Sequence, residues 1–343
     1  MSVKETGVSY YGLSYPEHAE KDFREMKAHN CNAVILALSE FDIDFWFPNI
    51  IRVAKVAKDV GLKVYLDTWG IGKWFGGEPP SNFLTNNVKN RQVSAFTDEP
   101  LPAACFNTKA FRDYFFGICE KLATNVDADG FFWDEPHYAL PKSYASITGG
   151  PGDDWSCRCL VCQQQFEALY GYEMPRVMTK EVIAFRENSA LDILQTASRL
   201  IKQIRPASKI VCCVHATINT YYVKENRGYD DWEKVCKVDE FDVFSTTIIN
   251  YSLPQSFFKS VTQRTIDVAR KYGKGNQRWL MGYYNEPENL DDIKKIVHLY
   301  ADMGVESLFA WTYRGGYGTS LAAPRALEMW DKLGEAYGEV LNK

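Results

Sequence analysis

The sequence predicts a (β/α)₈ barrel, a closed ring of eight parallel strands surrounded by helices. Short runs rich in β-branched and aromatic residues alternate eight times with longer segments of helical periodicity, and the strand comes first in each pair. The length of 343 residues exceeds the usual size of one hydrophobic core, but barrels with long loops commonly reach it as one domain. We therefore expect residues 1–343 to form a single barrel domain.

The predicted strands lie near residues 6–14, 32–39, 63–69, 129–135, 209–216, 241–248, 278–285 and 307–313. The alternative arrangement of eight such units is an open, doubly wound sheet. That fold would carry a glycine-rich turn after its first strand, and Tyr11-Gly12-Leu13-Ser14 is not such a turn. The closed barrel is therefore the better prediction.

Amphipathic helices are predicted between the strands, and several end at a glycine. Gly61, Gly273 and Gly304 follow helical segments directly, which is typical of a left-handed C-cap. The clearest helical segments are residues 18–29, 48–60, 108–124, 183–204, 257–272 and 290–303.

Three connections are much longer than the others: residues 70–107, 136–180 and 217–232. Each follows a strand, so in a barrel each lies at the C-terminal face, where barrel enzymes build their active sites. We therefore expect the functional residues in or beside these loops.

Composition and charge exclude several classes of partner. Apolar residues make up 46% of the chain and charged residues 24%, as in an ordinary globular protein, and the net charge of −5 is spread without a basic run. Nucleic acid and anionic membrane surfaces are therefore unexpected partners. The N-terminus lacks the regions of a signal peptide, and no apolar run approaches the roughly 20 residues that span a bilayer. These features predict a cytoplasmic protein.

Nine cysteines divide into two groups. Five stand in apolar surroundings and are predicted to be buried free thiols: Cys31, Cys119, Cys212, Cys213 and Cys236. The other four are a C-x-C-x-x-C cluster after the fourth strand and one cysteine before the helix that leads into that strand: Cys105, Cys157, Cys159 and Cys162. Four thiolates from two loops suit a tetrahedral structural Zn²⁺ with no open position. The alternative is a set of clustered free thiols.

Two glutamates carry the strongest catalytic signal. Glu135 ends the fourth strand in Trp-Asp-Glu-Pro-His, and Glu286 ends the seventh in Tyr-Asn-Glu-Pro, directly after Asn285. The ends of these two strands face one another across a barrel mouth. Two carboxylates on a common cleft are the minimum equipment of a glycosidase, one as general acid/base and one as nucleophile.

Asp134 precedes Glu135, and adjacent residues of a regular strand point to opposite sides. We therefore expect Glu135 alone to face the pocket as the acid. If Asp134 also turns inward, its negative charge favours a proton on the neighbouring glutamate, which a general acid needs. His137 either hydrogen-bonds to this group or caps the loop.

Further polar and aromatic residues stand near predicted strand ends. The polar ones are Asp67, His215, Thr246 and Tyr251, and each is either a substrate contact or a structural residue. Trp311, Tyr313 and Arg314 on the eighth strand could form a platform on which a sugar ring stacks. The loop after the third strand carries Trp69, Trp74 and Phe75, which either line a groove or pack inward.

The residues from Cys105 to Tyr114, Glu135, and the segment from Cys157 to Gly171 resemble the zinc-loop signature of the glycoside hydrolase family 42 β-galactosidases. This resemblance implies a barrel glycosidase in which Cys105, Cys157, Cys159 and Cys162 bind zinc. It also implies Glu135 as acid/base and Glu286 as nucleophile, with retention through a covalent glycosyl intermediate.

The sequence departs from that family at three places. Asp134 stands where the family has an asparagine that contacts the sugar 2-hydroxyl. The segment around Glu286 does not match the family's nucleophile segment closely, so Glu288 is an alternative second carboxylate. The chain ends soon after the eighth helix, which predicts that the family's accessory domains are absent.

The leading hypothesis is a retaining glycoside hydrolase that acts on a small oligosaccharide or glycoside. A transglycosidase would use the same residues, and a catalytically silent carbohydrate-binding barrel would keep the fold but misplace the acid pair. A metal-dependent lyase or hydrolase based on Asp67, His137 and His215 lacks any ligand spacing that would make it specific. The sugar, its linkage and the formation of a homo-oligomer are left open.

Overall fold

A computed structural model describes residues 3–75, 79–140, 154–216, 227–247, 253–281 and 286–342. Eight parallel strands form a closed barrel in which each strand pairs with its sequence neighbours and the first pairs with the last. Helices separate the strands along the chain and pack outside them. The predicted (β/α)₈ barrel is confirmed.

The barrel strands are β1 (Glu5–Tyr10), β2 (Ala33–Ala37), β3 (Lys63–Asp67), β6 (Gly130–Trp133), β7 (Lys209–His215), β8 (Val243–Thr247), β9 (Gly275–Met281) and β10 (Ser307–Trp311). Two further strands, β4 (Arg91–Val93) and β5 (Pro100–Ala104), form a small antiparallel sheet outside the barrel. Every predicted strand overlaps an observed one. The seventh begins three residues earlier than predicted, and residues 282–285 lie outside the described part of the chain.

The helices are α1 (Pro16–Ala28), α2 (Glu40–Phe45), α3 (Phe47–Asp59), α4 (Asn82–Asn86), α5 (Lys109–Asn125), α6 (Leu160–Tyr170), α7 (Lys180–Ile204), α8 (Trp232–Cys236), α9 (Gln255–Lys271), α10 (Asp291–Met303) and α11 (Ala326–Leu341). The predicted glycine stops are confirmed, because Gly61, Gly273 and Gly304 have φ values of 85°, 66° and 92°. Within the described ranges, no helix is long and apolar enough to cross a bilayer.

Alternation along the strands separates an inner core from an outer one. The inner core fills the barrel and consists of Ala33, Ile35, Tyr65, Phe132, Val211, Cys213, Trp279 and Phe309. The outer core lies between the strands and the surrounding helices. Where a strand continues past its last inner-core residue, the side chain two positions further along therefore points toward the barrel mouth.

Gln92, on β4, hydrogen-bonds to three residues of the long connections on the C-terminal side of the barrel. Its side-chain amide donates to the Ala104 carbonyl at 2.9 Å and accepts hydrogen bonds from the Ala139 backbone N–H at 2.9 Å and the Ser156 hydroxyl at 2.7 Å. The Gln92 side chain is completely buried. One amide group therefore holds together the long connections that follow β3 and β6.

Gly130, at the start of β6, is predicted to tolerate no side chain. A Cβ atom there would lie 2.3 Å from the Lys209 carbonyl oxygen and 2.9 Å from the Tyr65 ring, both in the barrel wall. We expect Gly130→Ala to lower the free energy of unfolding by about 1–3 kcal/mol, measured by denaturant titration. Gly117→Ala is the matched control, because a Cβ at this position in α5 meets nothing within 4 Å. An equal loss in both variants would contradict the steric explanation.

Candidate active site

The C-terminal ends of five barrel strands bring polar and aromatic side chains to one mouth. Asp67 ends β3, Glu135 follows β6, His215 ends β7, Thr247 ends β8 and Trp311 ends β10. Because parallel strands all end on the same side of a barrel, these side chains are collected there by topology rather than by sequence proximity.

Both Asp134 and Glu135 face the mouth, although strand alternation predicted only one of them. Strand β6 ends at Trp133, and Glu135 takes a φ of 39°, which turns its side chain out of the strand pattern. The Glu135 carboxylate accepts a hydrogen bond from the Thr247 hydroxyl. Burial, followed by the charges of Glu135 and Asp134, raises the pKa of Cys213 inside the barrel. Asp134 therefore turns inward together with Glu135, which is the alternative that the sequence analysis left open.

Two histidines flank Glu135 and are neutral at pH 7. His137 Nδ1 lies 2.9 Å from the Glu135 carbonyl oxygen, and the His137 backbone N–H donates to the Trp74 carbonyl at 2.7 Å. Burial, together with the positive charge of Arg227, lowers the pKa of His137 to about 4. Burial also lowers the pKa of His215. His137 thus contacts the main chain of Glu135 and orders the loop.

Aromatic rings form one wall of the mouth. The Trp311 indole N–H donates to the Tyr11 hydroxyl, and the Tyr11 and Trp69 rings meet edge to face with centroids 4.6 Å apart. All three side chains are half-buried, so part of each ring is accessible. Trp74 and Phe75 instead pack inward as core residues.

Tyr313 and Arg314 lie apart from this wall. The Tyr313 hydroxyl donates to Asp22 and Glu25 of α1 at 3.0 Å each, and the Arg314 guanidinium pairs with Glu25, with Nε 2.8 Å from Oε1. The Tyr313 ring also packs edge to face on Trp330 of α11. The structure therefore assigns both residues to the helix layer outside the barrel rather than to the predicted sugar platform.

Glu286 is held by an arginine at the start of the last helix. Arg325 Nε lies 2.8 Å from one Glu286 oxygen, and the Arg325 backbone N–H donates to the other at 2.8 Å. Burial opposes ionisation of Glu286, but these hydrogen bonds and the positive charge of Arg325 outweigh it and lower the pKa. Glu288 is exposed, and Asn285 lies outside the described residues.

Among the described residues of the mouth, three were not predicted from the sequence: Thr247, Tyr11 and Arg227. The sequence indicated Thr246 rather than Thr247, but the Thr246 hydroxyl lies 2.8 Å from that of Thr265 on the outside of the barrel. The two threonines are adjacent, so a shift of one residue along β8 decides which of them faces the mouth. The hydrophobic pattern at the end of β8 does not show which one it is. Tyr251, the other polar residue predicted near this strand end, lies outside the described residues.

The four clustered cysteines come together as predicted. Their sulfur atoms all lie within 4.8 Å of one another and all four side chains are buried, while Cys105 Sγ is 3.5 Å from the sulfurs of Cys159 and Cys162. The Asn107 side-chain amide also donates to Cys162 Sγ at 3.4 Å. The group could hold a metal ion. The five remaining cysteines are buried free thiols, which confirms that prediction.

A buried arginine connects the cysteine cluster to the mouth. Arg186 Nε donates to the Ser156 carbonyl at 2.5 Å, directly before Cys157, and the guanidinium lies 4.2 Å from the centroid of the Tyr138 ring. Tyr138 in turn follows His137 in the chain. The cysteine cluster and the loop that carries Glu135 and His137 therefore pack against the same buried arginine.

No family model matches the chain, and no curated protein matches its sequence. Solved structures do match its fold. A β-galactosidase from Rahnella sp. R3 has a TM-score of 0.69 and 15% identity over 100% of this chain and 57% of its own. A GH42 β-galactosidase from G. stearothermophilus has a TM-score of 0.70 and 12% identity over 99% of this chain and 57% of its own.

The glycoside hydrolase domain of PgaB (BpsB) from Bordetella bronchiseptica has a TM-score of 0.63 and 11% identity, over 96% of this chain and 99% of that domain. The chain thus spans somewhat more than half of the β-galactosidases but nearly the whole of the PgaB domain. At these identities the similarity shows the barrel fold.

Proposed function

We propose that the protein is a retaining glycoside hydrolase, with Glu135 as its acid/base, acting on a small oligosaccharide or glycoside. The observation that carries the proposal is the placement of the Glu135 carboxylate at the barrel mouth, beside Asp134 and within hydrogen-bonding contact of Thr247. The fold that it shares with β-galactosidases and with the PgaB domain supports the same conclusion.

Thr247 suits both protonation states of Glu135. A hydroxyl group can donate to an ionised carboxylate or accept from a protonated one by rotating its hydrogen. A retaining glycosidase needs this, because its acid/base gives a proton to the leaving group and later takes one from water.

Glu286 is proposed as the nucleophile. Its contacts with Arg325 keep the carboxylate ionised, as attack on an anomeric carbon requires. Retention requires the Glu135 and Glu286 carboxyl groups to lie about 5–5.5 Å apart, whereas a separation of about 6.5–9.5 Å would favour inversion. A transglycosidase would use the same pair with a sugar as acceptor.

The aromatic wall is proposed to receive the apolar face of a sugar ring. Trp311, Trp69 and Tyr11 expose part of their rings at the mouth, above the acidic residues. We propose Asp67, Asp134, His137, His215 and Asn285 as the polar contacts of the same sugar.

The cysteine cluster is proposed to hold a structural zinc ion. Four thiolates at the usual Zn–S distance of about 2.3 Å would have sulfurs about 3.8 Å apart, close to the 3.5 Å contacts around Cys105. Zinc here would supply a cross-link between the loops that carry Cys105 and Cys157, and no step of the reaction needs it. Nine cysteines without a disulfide are in keeping with a reducing compartment, so we propose a cytoplasmic location for this single barrel domain.

One contact favours a second candidate function. If Arg325 holds Glu286 away from the mouth, the barrel would bind carbohydrate without cleaving it. The two functions differ in turnover, so a panel of aryl glycosides followed by proton NMR separates them. The proposal expects hydrolysis of at least one glycoside with the first-formed sugar in the substrate's anomeric configuration. The opposite anomer would contradict retention, and binding without turnover would favour the second function.

A further inference from the structure

Asp67 is an acid in an unusual position at the end of β3. Its side chain is only 3% exposed, and in the described residues its Oδ1 atom has no hydrogen-bond partner. In the parallel pairing of β3 with β6, Asp67 lies opposite Phe132, so Asp134 is two residues further along on the same inward side. The two side chains therefore point into the mouth from neighbouring strands.

The described residues of β2 and of the barrel-facing side of α3 bring no positive charge to Asp67. Strand β2 has only apolar residues, and α3 turns Ile50, Val53, Ala54 and Ala57 toward the barrel. Lys58 of α3 lies beside Asp127 and Asp129, which precede β6 at the opposite end of the barrel.

The described titratable groups of β6 and β7 also bear on the charge around Asp67. Beyond β6 are the negative charges of Asp134 and Glu135, and β7 brings Cys213 and His215. Burial raises the pKa of the Cys213 thiol and lowers that of His215, so both are neutral at pH 7. The positive charge of Arg227 acts on His215. Asp67 thus stands on the side of the barrel mouth that carries the Asp134 carboxyl group.

An ionised Asp67 would be unfavourable for two reasons. Burial removes the water that stabilises a carboxylate, and the nearby Asp134 charge repels a second negative charge. Both effects, burial first, raise the pKa of Asp67 well above its usual range. Two neighbouring carboxyl groups in this situation hold one proton between them and titrate as a pair.

We propose that Asp67 is a positioning residue that keeps the proton of an Asp67–Asp134 carboxyl pair, so that Asp134 remains as a fixed carboxylate beside Glu135. A neutral Asp67 can donate a hydrogen bond to Asp134, which orients it. Loss of the Asp67 proton at high pH places two negative charges in the floor of the mouth, so the pair sets the alkaline limit of activity.

The effect on catalysis rests on the proposed function, but the shared proton does not. Asp67→Asn keeps the shape and a hydrogen-bond donor and mimics the neutral acid, whereas Asp67→Ala removes the donor. Asp59→Asn, on the exposed end of α3, is the matched control. Infrared difference spectra at about pH 7, above the usual Asp pKa of about 3.9, detect a protonated carboxyl without any substrate.

We expect the wild type and Asp59→Asn to show one more protonated-carboxyl band than Asp67→Asn shows. If wild type and Asp67→Asn show no difference in this band, the shared proton is refuted, whether or not a substrate has been found. Absence of turnover with the band intact would refute the proposed function alone.

In assays with a substrate, we expect Asp67→Asn to extend activity to higher pH and to lose less of its kcat/KM at the optimum than Asp67→Ala loses. Asp67→Ala is expected to lower kcat/KM by up to about 100-fold, the order of magnitude that misplacing a catalytic group can cost. An unchanged alkaline limb in Asp67→Asn would overturn the role in setting the pH range.

Discussion

Glu135→Gln is expected to lower kcat/KM about 10²- to 10⁴-fold on glycosides with poor leaving groups, because glutamine cannot transfer a proton to the departing oxygen. Glycosides with acidic phenol leaving groups need little protonation, so their first step should be affected far less. The measurement is a series of aryl glycosides ranked by the pKa of the phenol. A steeper dependence on that pKa in Glu135→Gln than in wild type identifies the residue as the acid.

Glu120→Gln is the matched control for this substitution. Glu120 is an exposed residue of α5, so its loss of charge should leave every rate unchanged. The Thr247 hydroxyl can hydrogen-bond to a glutamine as well as to a glutamate, and we therefore expect Glu135→Gln to fold normally. If Glu135→Gln lost the same factor on all leaving groups, Glu135 would have a role other than that of the acid.

If the cysteine cluster holds the proposed zinc ion, Cys162→Ser is expected to release it and to destabilise the fold substantially. A ligand present at about 1,000 times its Kd adds about 4 kcal/mol to the stability of a folded state, and a site that has lost one thiolate forfeits most of this. The measurements are zinc content per chain by elemental analysis and the free energy of unfolding with and without a chelator.

Cys31→Ser is the control for the cysteine experiment, since Cys31 is buried as deeply but lies outside the cluster. It should keep one zinc ion per chain, and a chelator should destabilise it as much as wild type. The chelator should leave Cys162→Ser unaffected. A wild-type protein that holds no zinc after purification with added zinc would contradict the metal site.

The eight barrel units could be predicted because each half of a unit leaves a different pattern. The strands are runs of β-branched and aromatic residues, and the helices are amphipathic with a glycine stop, as at Gly61 and Gly304. The cysteine group could also be predicted, because three closely spaced thiols in a polar loop are typical of a metal site. In both cases the information is local in the sequence.

The details of the mouth could not be predicted in the same way. The joint inward orientation of Asp134 and Glu135 depends on a positive φ at a glutamate, which is uncommon and has no sequence marker. Tyr313 lies only two residues beyond Trp311, yet it packs on α1 and α11 because the chain turns outward after β10. Such turns depend on tertiary contacts that a linear pattern does not contain.

The amide of Gln92 couples the two long connections at the barrel mouth, so neither can change independently of the other. Barrel enzymes diversify by varying their loops, but here a single side chain hydrogen-bonds to residues 104, 139 and 156, which belong to the two long connections after β3 and β6. A variant in which one of these connections is exchanged alone would leave a buried polar group of the other without its hydrogen-bond partner. The two connections therefore form one structural unit. A change in binding specificity at the mouth should require exchange of both connections together, or point substitutions at the rim of the mouth.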